Sequence, residues 1–112
     1  MRDLLYEIWP PSLPEAFISF DLETTGLKYY KHEIIEIGAI LVKRGESVKS
    51  LYRALVLPKG PIGPKIRAMT GLNRDILRRN GVDLNTALNG LRTFVGDHPM
   101  VAYNAGFDIK FL

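Results

Sequence analysis

Residues 34–42 read IIEIGAILV, an almost unbroken apolar run whose one charged residue is Glu36. The run is far shorter than the roughly 20 apolar residues that a membrane helix needs. Its isoleucines and valine favour an extended backbone, so it reads as a strand. Residues 16–23 read as a strand before it, with Phe17, Ile18 and Phe20 apolar, and a Thr-Thr-Gly turn follows. Residues 51–57 read as a third strand. The polar loop 43–50, with Gly45, joins it to the second, which predicts an antiparallel hairpin.

After these strands the pattern changes. Residues 58–64 hold three prolines and two glycines and form a connector. Residues 64–70 predict a short helix closed by Gly71. Asn73 can cap a second helix that ends near Gly81. Residues 83–95 give the clearest helical period, because Leu84, Ala87, Leu88, Leu91 and Val95 fall on one face, with Asp83 as N-cap. Residues 100–103 form a short strand. Asn104 or Gly106 then opens a helix that carries Phe107, Asp108 and Phe111. Residues 1–15 read as an arm in which Leu4, Leu5, Ile8 and Trp9 can form one apolar helical turn, Trp9 docks on the body, and Pro10, Pro11 and Pro14 stop the helix. Strands, then helices, then a strand reached by a crossover describe an α/β domain at residues 16–112.

With 112 residues, 46% of them apolar, the chain is one small domain. It has no cysteine, which excludes disulfides, zinc–thiolate sites and thiol catalysis. The N-terminal residues lack the apolar core of a signal peptide. With no membrane span in view, a cytoplasmic protein is expected. Residues 28–79 hold twelve lysines and arginines against four acids, although the whole chain is only +3. A basic middle flanked by carboxylates suits a protein that binds a polyanion and keeps an acidic metal site. A solvated basic surface would look the same.

Asp21 and Glu23 stand two apart at the end of the first strand, so their side chains leave the same face. Two adjacent carboxylates raise each other's pKa unless a cation lies between them. Mg²⁺ or Mn²⁺, which prefer oxygen ligands, would meet that need. Taken alone, an Asp-x-Glu pair is more often simply solvated. Asp108, on the first turns of the last helix, is by itself more often an acid that favours the helix dipole.

The segments FDLETTGL (20–27) and VAYNAGFDIKFL (101–112) together resemble the first and second motifs of the DnaQ-like 3′→5′ exonuclease superfamily, which includes the epsilon-type proofreading subunits of DNA polymerase III and ribonuclease T. IIEIGAILV and IRAMTGLNRDIL, lying between them in the expected order, agree with it. Tyr103 stands where a histidine is frequent. The resemblance implies a ribonuclease H-like fold: a mixed sheet with its first three strands antiparallel and a later parallel strand, flanked by helices. It also implies two-metal hydrolysis of phosphodiester bonds at a 3′ end, with Asp21, Glu23 and Asp108 as three of four metal-binding carboxylates and Mg²⁺ or Mn²⁺ as cofactor. Leu22, Thr24, Thr25, Gly26 and Leu27 would contact the terminal nucleotide, with Met69, Thr70 and Leu72 on the other wall and Asn104 and Phe107 beside them.

The implied partners are a single-stranded nucleic-acid 3′ end, DNA ahead of RNA, and a DNA polymerase subunit. The family's third motif, with the fourth carboxylate and a catalytic histidine or tyrosine, has no counterpart before Leu112. The chain therefore reads as a partial domain of weak or no turnover by itself. His32 and His98 read as loop residues rather than as the missing base. Two other readings stay open. One is a nucleic-acid-binding module without chemistry. The other is an interaction domain that uses the apolar helix at 107–112 for self-association or for a polymerase.

Overall fold

The computed structural model describes residues 13–102 and 105–112 of the chain. Four strands form one mixed sheet: β1 (Ala16–Thr24), β2 (Ile34–Lys43), β3 (Leu51–Leu55) and β4 (Met100–Val101), in the order β3-β2-β1-β4. The first three are antiparallel neighbours, and β4 runs parallel to β1. The helices α1 (Pro64–Thr70), α2 (Arg74–Asn80) and α3 (Leu84–Val95) fill the crossover from β3 to β4, and α4 (Ala105–Phe111) follows β4. The mixed sheet is the one the sequence predicts. Trp9 and the rest of the expected arm up to residue 12, with Tyr103 and Asn104, lie outside the described residues.

Register decides which side chains are buried. Ile18, Phe20 and Leu22 of β1 pair with Leu41, Ala39 and Ile37 of β2, and β3 extends the same face with Tyr52 and Ala54. α3 lies over this face, burying Ala87 and Leu91 and packing Leu88, Phe94 and Val95 against it. Burying each large apolar side chain contributes roughly 1.5–3 kcal/mol. Leu84, expected on the same apolar stripe, is exposed in the first turn of α3. Tyr52 fixes the docking of the helix. Its hydroxyl donates to the Ala87 carbonyl at 2.7 Å, and its ring stacks on Phe94 at 6.0 Å between centroids. Gly90 leaves the room, since a Cβ there would lie 2.4 Å from the Tyr52 hydroxyl oxygen.

A second apolar cluster joins Ile35 to Ile62, Leu72 and Leu77, with Leu55, Ile66 and Ile76 around it. The short helices that build it begin and end where the sequence indicates. Asn73 accepts a hydrogen bond from the Ile76 N–H at 2.9 Å, and Asp83 accepts one from Thr86 at 2.7 Å. Gly71 ends α1 in the left-handed region, with φ 73°. β3 is two residues shorter than expected. Val56 still donates to the Ile35 carbonyl of β2 at 2.9 Å but also bridges Val82, which donates to the Leu55 carbonyl at 2.8 Å and accepts from the Leu57 N–H at 3.3 Å. Glu33 then clamps the connector by accepting from the N–H groups of Lys59 (2.9 Å) and Gly60 (2.7 Å), while Arg74 donates to the carbonyls of Pro58 and Gly60.

Candidate active site

The face of β1 opposite α3 carries Asp21 and Glu23, whose partners on β2 are Gly38 and Glu36. Asp21 is exposed and Glu23 half-buried. β4 runs beside β1 in the same direction, paired with Ile18 and Ser19, so its continuation leads toward the Asp21–Glu23 end of β1. α4 begins there, and it brings Asp108 into the interior with only 3% of its surface exposed. Topology thus joins carboxylates from opposite ends of the sequence.

Their electrostatics record the proximity. The Glu23 carboxyl is raised above its ordinary value of 4.5, first by burial and then by the charges of Asp21, Glu36 and Asp108. Asp108 is raised above 3.8 by burial and by Asp21. Among the described residues, only Glu36 of this group has a counter-ion: the Arg53 guanidinium donates to it at 2.5 Å. Among the described residues, no three acidic or histidine side chains already enclose a cation-sized space. The donor set nonetheless fits a hard divalent cation. All its donors are anionic oxygens, and their mutual repulsion is what such an ion relieves.

The turn after β1 is tied closed. The Thr24 hydroxyl donates to the Gly26 carbonyl at 2.6 Å, and the Thr25 N–H donates to the Glu33 carbonyl at 2.8 Å. The Glu33 N–H donates back to the Thr25 hydroxyl oxygen at 3.0 Å. His32 lies in the loop before β2, as the sequence indicates, and packs its ring on Gly26. A Cβ at Gly26 would sit 2.5 Å from His32 Nε2. His32 Nδ1 accepts from the Lys28 N–H at 3.0 Å. Leu27 projects from the turn, 82% exposed.

The other expected contact residues divide. Leu22 points its side chain into the core, which leaves only its backbone for a ligand. The hydroxyls of Thr24 and Thr25 serve the turn itself. Thr70 closes α1 by donating to the Ile66 carbonyl at 2.7 Å, and Met69 beside it is exposed. Leu72 is buried in the second cluster and lines no wall, which corrects the expectation. Phe107 rests against Phe111 with ring centroids 5.0 Å apart. His98 closes the turn after α3, its N–H donating to the Val95 carbonyl at 3.1 Å. Sequence reasoning passed over Glu36, Arg53 and the seat of His32 on Gly26. The single acid in an apolar strand was the available signal for the first.

Comparison with known proteins agrees with this fold. The model of the RNase T exonuclease family matches residues 18–112. The PolC-type DNA polymerase III of Halalkalibacterium halodurans is 38% identical over 102 residues, covering 91% of this chain and 7% of that protein. The PolC-type enzyme of Bacillus subtilis is 37% identical over 98 residues, covering 88% and 7%. The chain therefore spans a small fraction of these relatives' length. Among solved structures, exonuclease I aligns with a TM-score of 0.77 at 18% identity, over 88% of this chain and 23% of that one. Escherichia coli exonuclease I in complex with a dA16 oligonucleotide aligns with a TM-score of 0.76 at 18% identity, with the same coverage. At such identity the likeness establishes the fold, a ribonuclease H-like one. No helix among the described residues is long and apolar enough to cross a membrane.

Proposed function

This chain belongs to the RNase T exonuclease family, and from that premise we propose that it forms the front part of a metal-dependent 3′→5′ exonuclease site acting on single-stranded nucleic-acid ends, DNA ahead of RNA. One observation carries the reading. Asp21, Glu23 and Asp108 come from β1 and α4 into one cluster with no counter-ion among the described residues, and burial and repulsion raise the carboxyls of Glu23 and Asp108. The structural acids of this fold are compensated, Glu36 by Arg53 and Glu33 and Asp83 by backbone N–H groups.

In this reading Asp21, Glu23 and Asp108 hold Mg²⁺ or Mn²⁺. When bound, the cation offsets phosphate charge and makes a water molecule acidic enough to attack at neutral pH. The chain's own residues position the substrate. The turn at Thr24–Leu27 lies at the end of the strand that carries Asp21 and Glu23. Its hydroxyls are committed to holding the loop, so its backbone and the exposed Leu27 are left to meet the terminal nucleotide. The resemblance to PolC-type polymerases supports a proofreading role and association with a polymerase chain.

The 112 residues supply three carboxylates and no third-motif base. Tested by themselves they are expected to turn over slowly, since general-base catalysis alone is worth roughly 10²–10⁴. The test is cleavage of a labelled single-stranded oligonucleotide with Mn²⁺, beside a 3′-blocked substrate and Asp21→Ala. Stepwise shortening from an unblocked 3′ end, abolished in Asp21→Ala, supports the proposal. Internal cuts, or shortening that Asp21→Ala leaves intact, would overturn it. If shortening is undetectable, Mn²⁺ titration by calorimetry decides, because binding that Asp21→Ala and Asp108→Asn both leave unchanged rejects the metal site.

A further inference from the structure

The loop between β1 and β2 reads Leu27-Lys28-Tyr29-Tyr30-Lys31, and the fold leaves its large apolar groups in solvent. Leu27 is 82%, Tyr29 53% and Tyr30 73% exposed. The loop itself is closed. The Lys28 carbonyl accepts from the N–H groups of Lys31 (3.0 Å) and His32 (2.7 Å), and the neck is held by the Thr25–Glu33 pair. Aromatic rings on a constrained loop stand out from the surface at little entropic cost. The two tyrosines meet edge to face at 5.5 Å and 89°, so they present perpendicular planes. Lys110 of α4 reaches over the Tyr29 ring at 5.9 Å, while Tyr30 keeps an open face. Loop and helix together wall a cleft of about 480 Å³.

The position of this cleft decides its meaning. Its two walls belong to the elements that carry the carboxylates, the turn following Glu23 and the helix of Asp108. We propose that this cleft, whose lining includes the Leu27 and Phe107 given above to the terminal nucleotide, extends that site to a further nucleotide, whose base stacks on Tyr30 while Lys28 and Lys110 on the walls and Lys31 beside them take the neighbouring phosphates. The inference rests on the nuclease reading only for the direction of the strand, whose terminal nucleotide would lie at the carboxylates. Base–aromatic stacking tolerates every base and suits a strand without a partner. The charge also selects the occupant. A second copy docking the same patch would set lysines against lysines, whereas a polyanion is drawn to them.

The test is fluorescence anisotropy with labelled oligothymidylate in EDTA, where cleavage cannot occur, using the whole chain. Tyr30→Ala should weaken binding roughly five- to a hundred-fold, the range of one lost stack, and Tyr30→Phe should restore it. An abasic oligonucleotide of equal length should bind Tyr30→Ala and the parent alike. Replacing Lys28, Lys31 and Lys110 with alanine should lower the salt slope by roughly 2, at about 0.7 for each phosphate contact of a single strand. Both tyrosines are exposed, and unchanged circular dichroism would show that the variants fold. Equal binding by Tyr30→Ala and parent, or no detectable binding by the parent, overturns the proposal. So does a change in sedimentation without a change in binding, which would make the cleft a protein contact. Asp21→Ala separates the two readings. Binding that depends on Tyr30, with no cleavage and with Mn²⁺ binding unchanged by Asp21→Ala and Asp108→Asn, leaves the subsite standing and the nuclease reading fallen, and cleavage with binding indifferent to Tyr30 does the reverse.

Discussion

The fold disfavours the charged form of Glu23. Its carboxyl, like that of Asp108, is raised by burial and by acidic neighbours. A carboxyl whose folded pKa lies above its unfolded value binds its proton more tightly in the native state. The stability from this source is fully present below the unfolded values, near 4.5 and 3.8, and is lost as pH rises through the folded values. The metal-free chain is therefore expected to gain stability from these groups as the pH falls from above their folded values toward their unfolded ones. Glu23→Gln should raise the metal-free thermal midpoint at pH 7, flatten that dependence and abolish cleavage. Melting curves across the pH range check this, and a Glu23→Gln chain less stable than the parent at neutral pH would refute it. Gly26 belongs to the same scale. An alanine there must displace the His32 ring and, with it, the turn. Gly26→Ala is expected to cost about 1–3 kcal/mol as an overpacked contact, and His32→Ala in the same chain should recover most of it. Chemical denaturation of the two single variants and the double variant measures the coupling, and a non-additive recovery is the expected sign.

Elements show how far the sequence carries a reader and where it stops. Period and the Asp83 cap located α3 from its stripe, which could face only one way, and Gly96 closes the helix in the structure. The same logic misplaced Leu84, since periodicity reports the side of a helix and not how far the sheet beneath it extends. β3 ended early for a comparable reason. Val56 and Leu57 are as apolar as the strand before them; Val56 keeps one hydrogen bond to Ile35 of β2, and the Leu57 N–H donates instead to Val82. The carboxylates Asp21, Glu23 and Asp108 were legible as ordered motifs, whereas Glu36 with Arg53 became visible only once cross-strand register was known. Gly90 was silent in the sequence, where it reads as a weak point in a helix. An exposed Gly→Ala change in a helix ordinarily stabilises by about 0.8–1 kcal/mol. Here the new methyl would meet the Tyr52 hydroxyl and displace it from the Ala87 carbonyl. Gly90→Ala is expected to destabilise, and to stabilise instead when Tyr52 is also alanine. The sign in the two backgrounds, read from urea midpoints, decides whether Tyr52 is the anchor.

At the scale of the whole molecule, the site lies where the chain's distant parts meet. β1 supplies two carboxylates near the beginning of the described fold, and α4 supplies the third after the three-helix crossover. α4 is held in part by Phe111, packed on the core formed by the sheet and α3, while Ile109 and Leu112 stay exposed. Like charges at this junction push α4 away from β1, and a cation shared between them reverses the force. Metal binding should therefore act as a global stabiliser of the folded chain. A ligand that binds only the native state contributes about 2.7 kcal/mol at a hundredfold excess over its Kd, and for a domain of this size each kcal/mol moves the midpoint by about 4–8 °C. Mn²⁺ is thus expected to raise the thermal midpoint well beyond what a monovalent salt of equal ionic strength achieves, and EDTA should return it. Asp21→Asn and Asp108→Asn should each remove most of the increment while leaving the metal-free midpoint equal to or above the parent's. A midpoint that follows ionic strength alone, whatever the cation, would mean that the cluster is screened rather than bridged, and the carboxylates would lose their role as ligands.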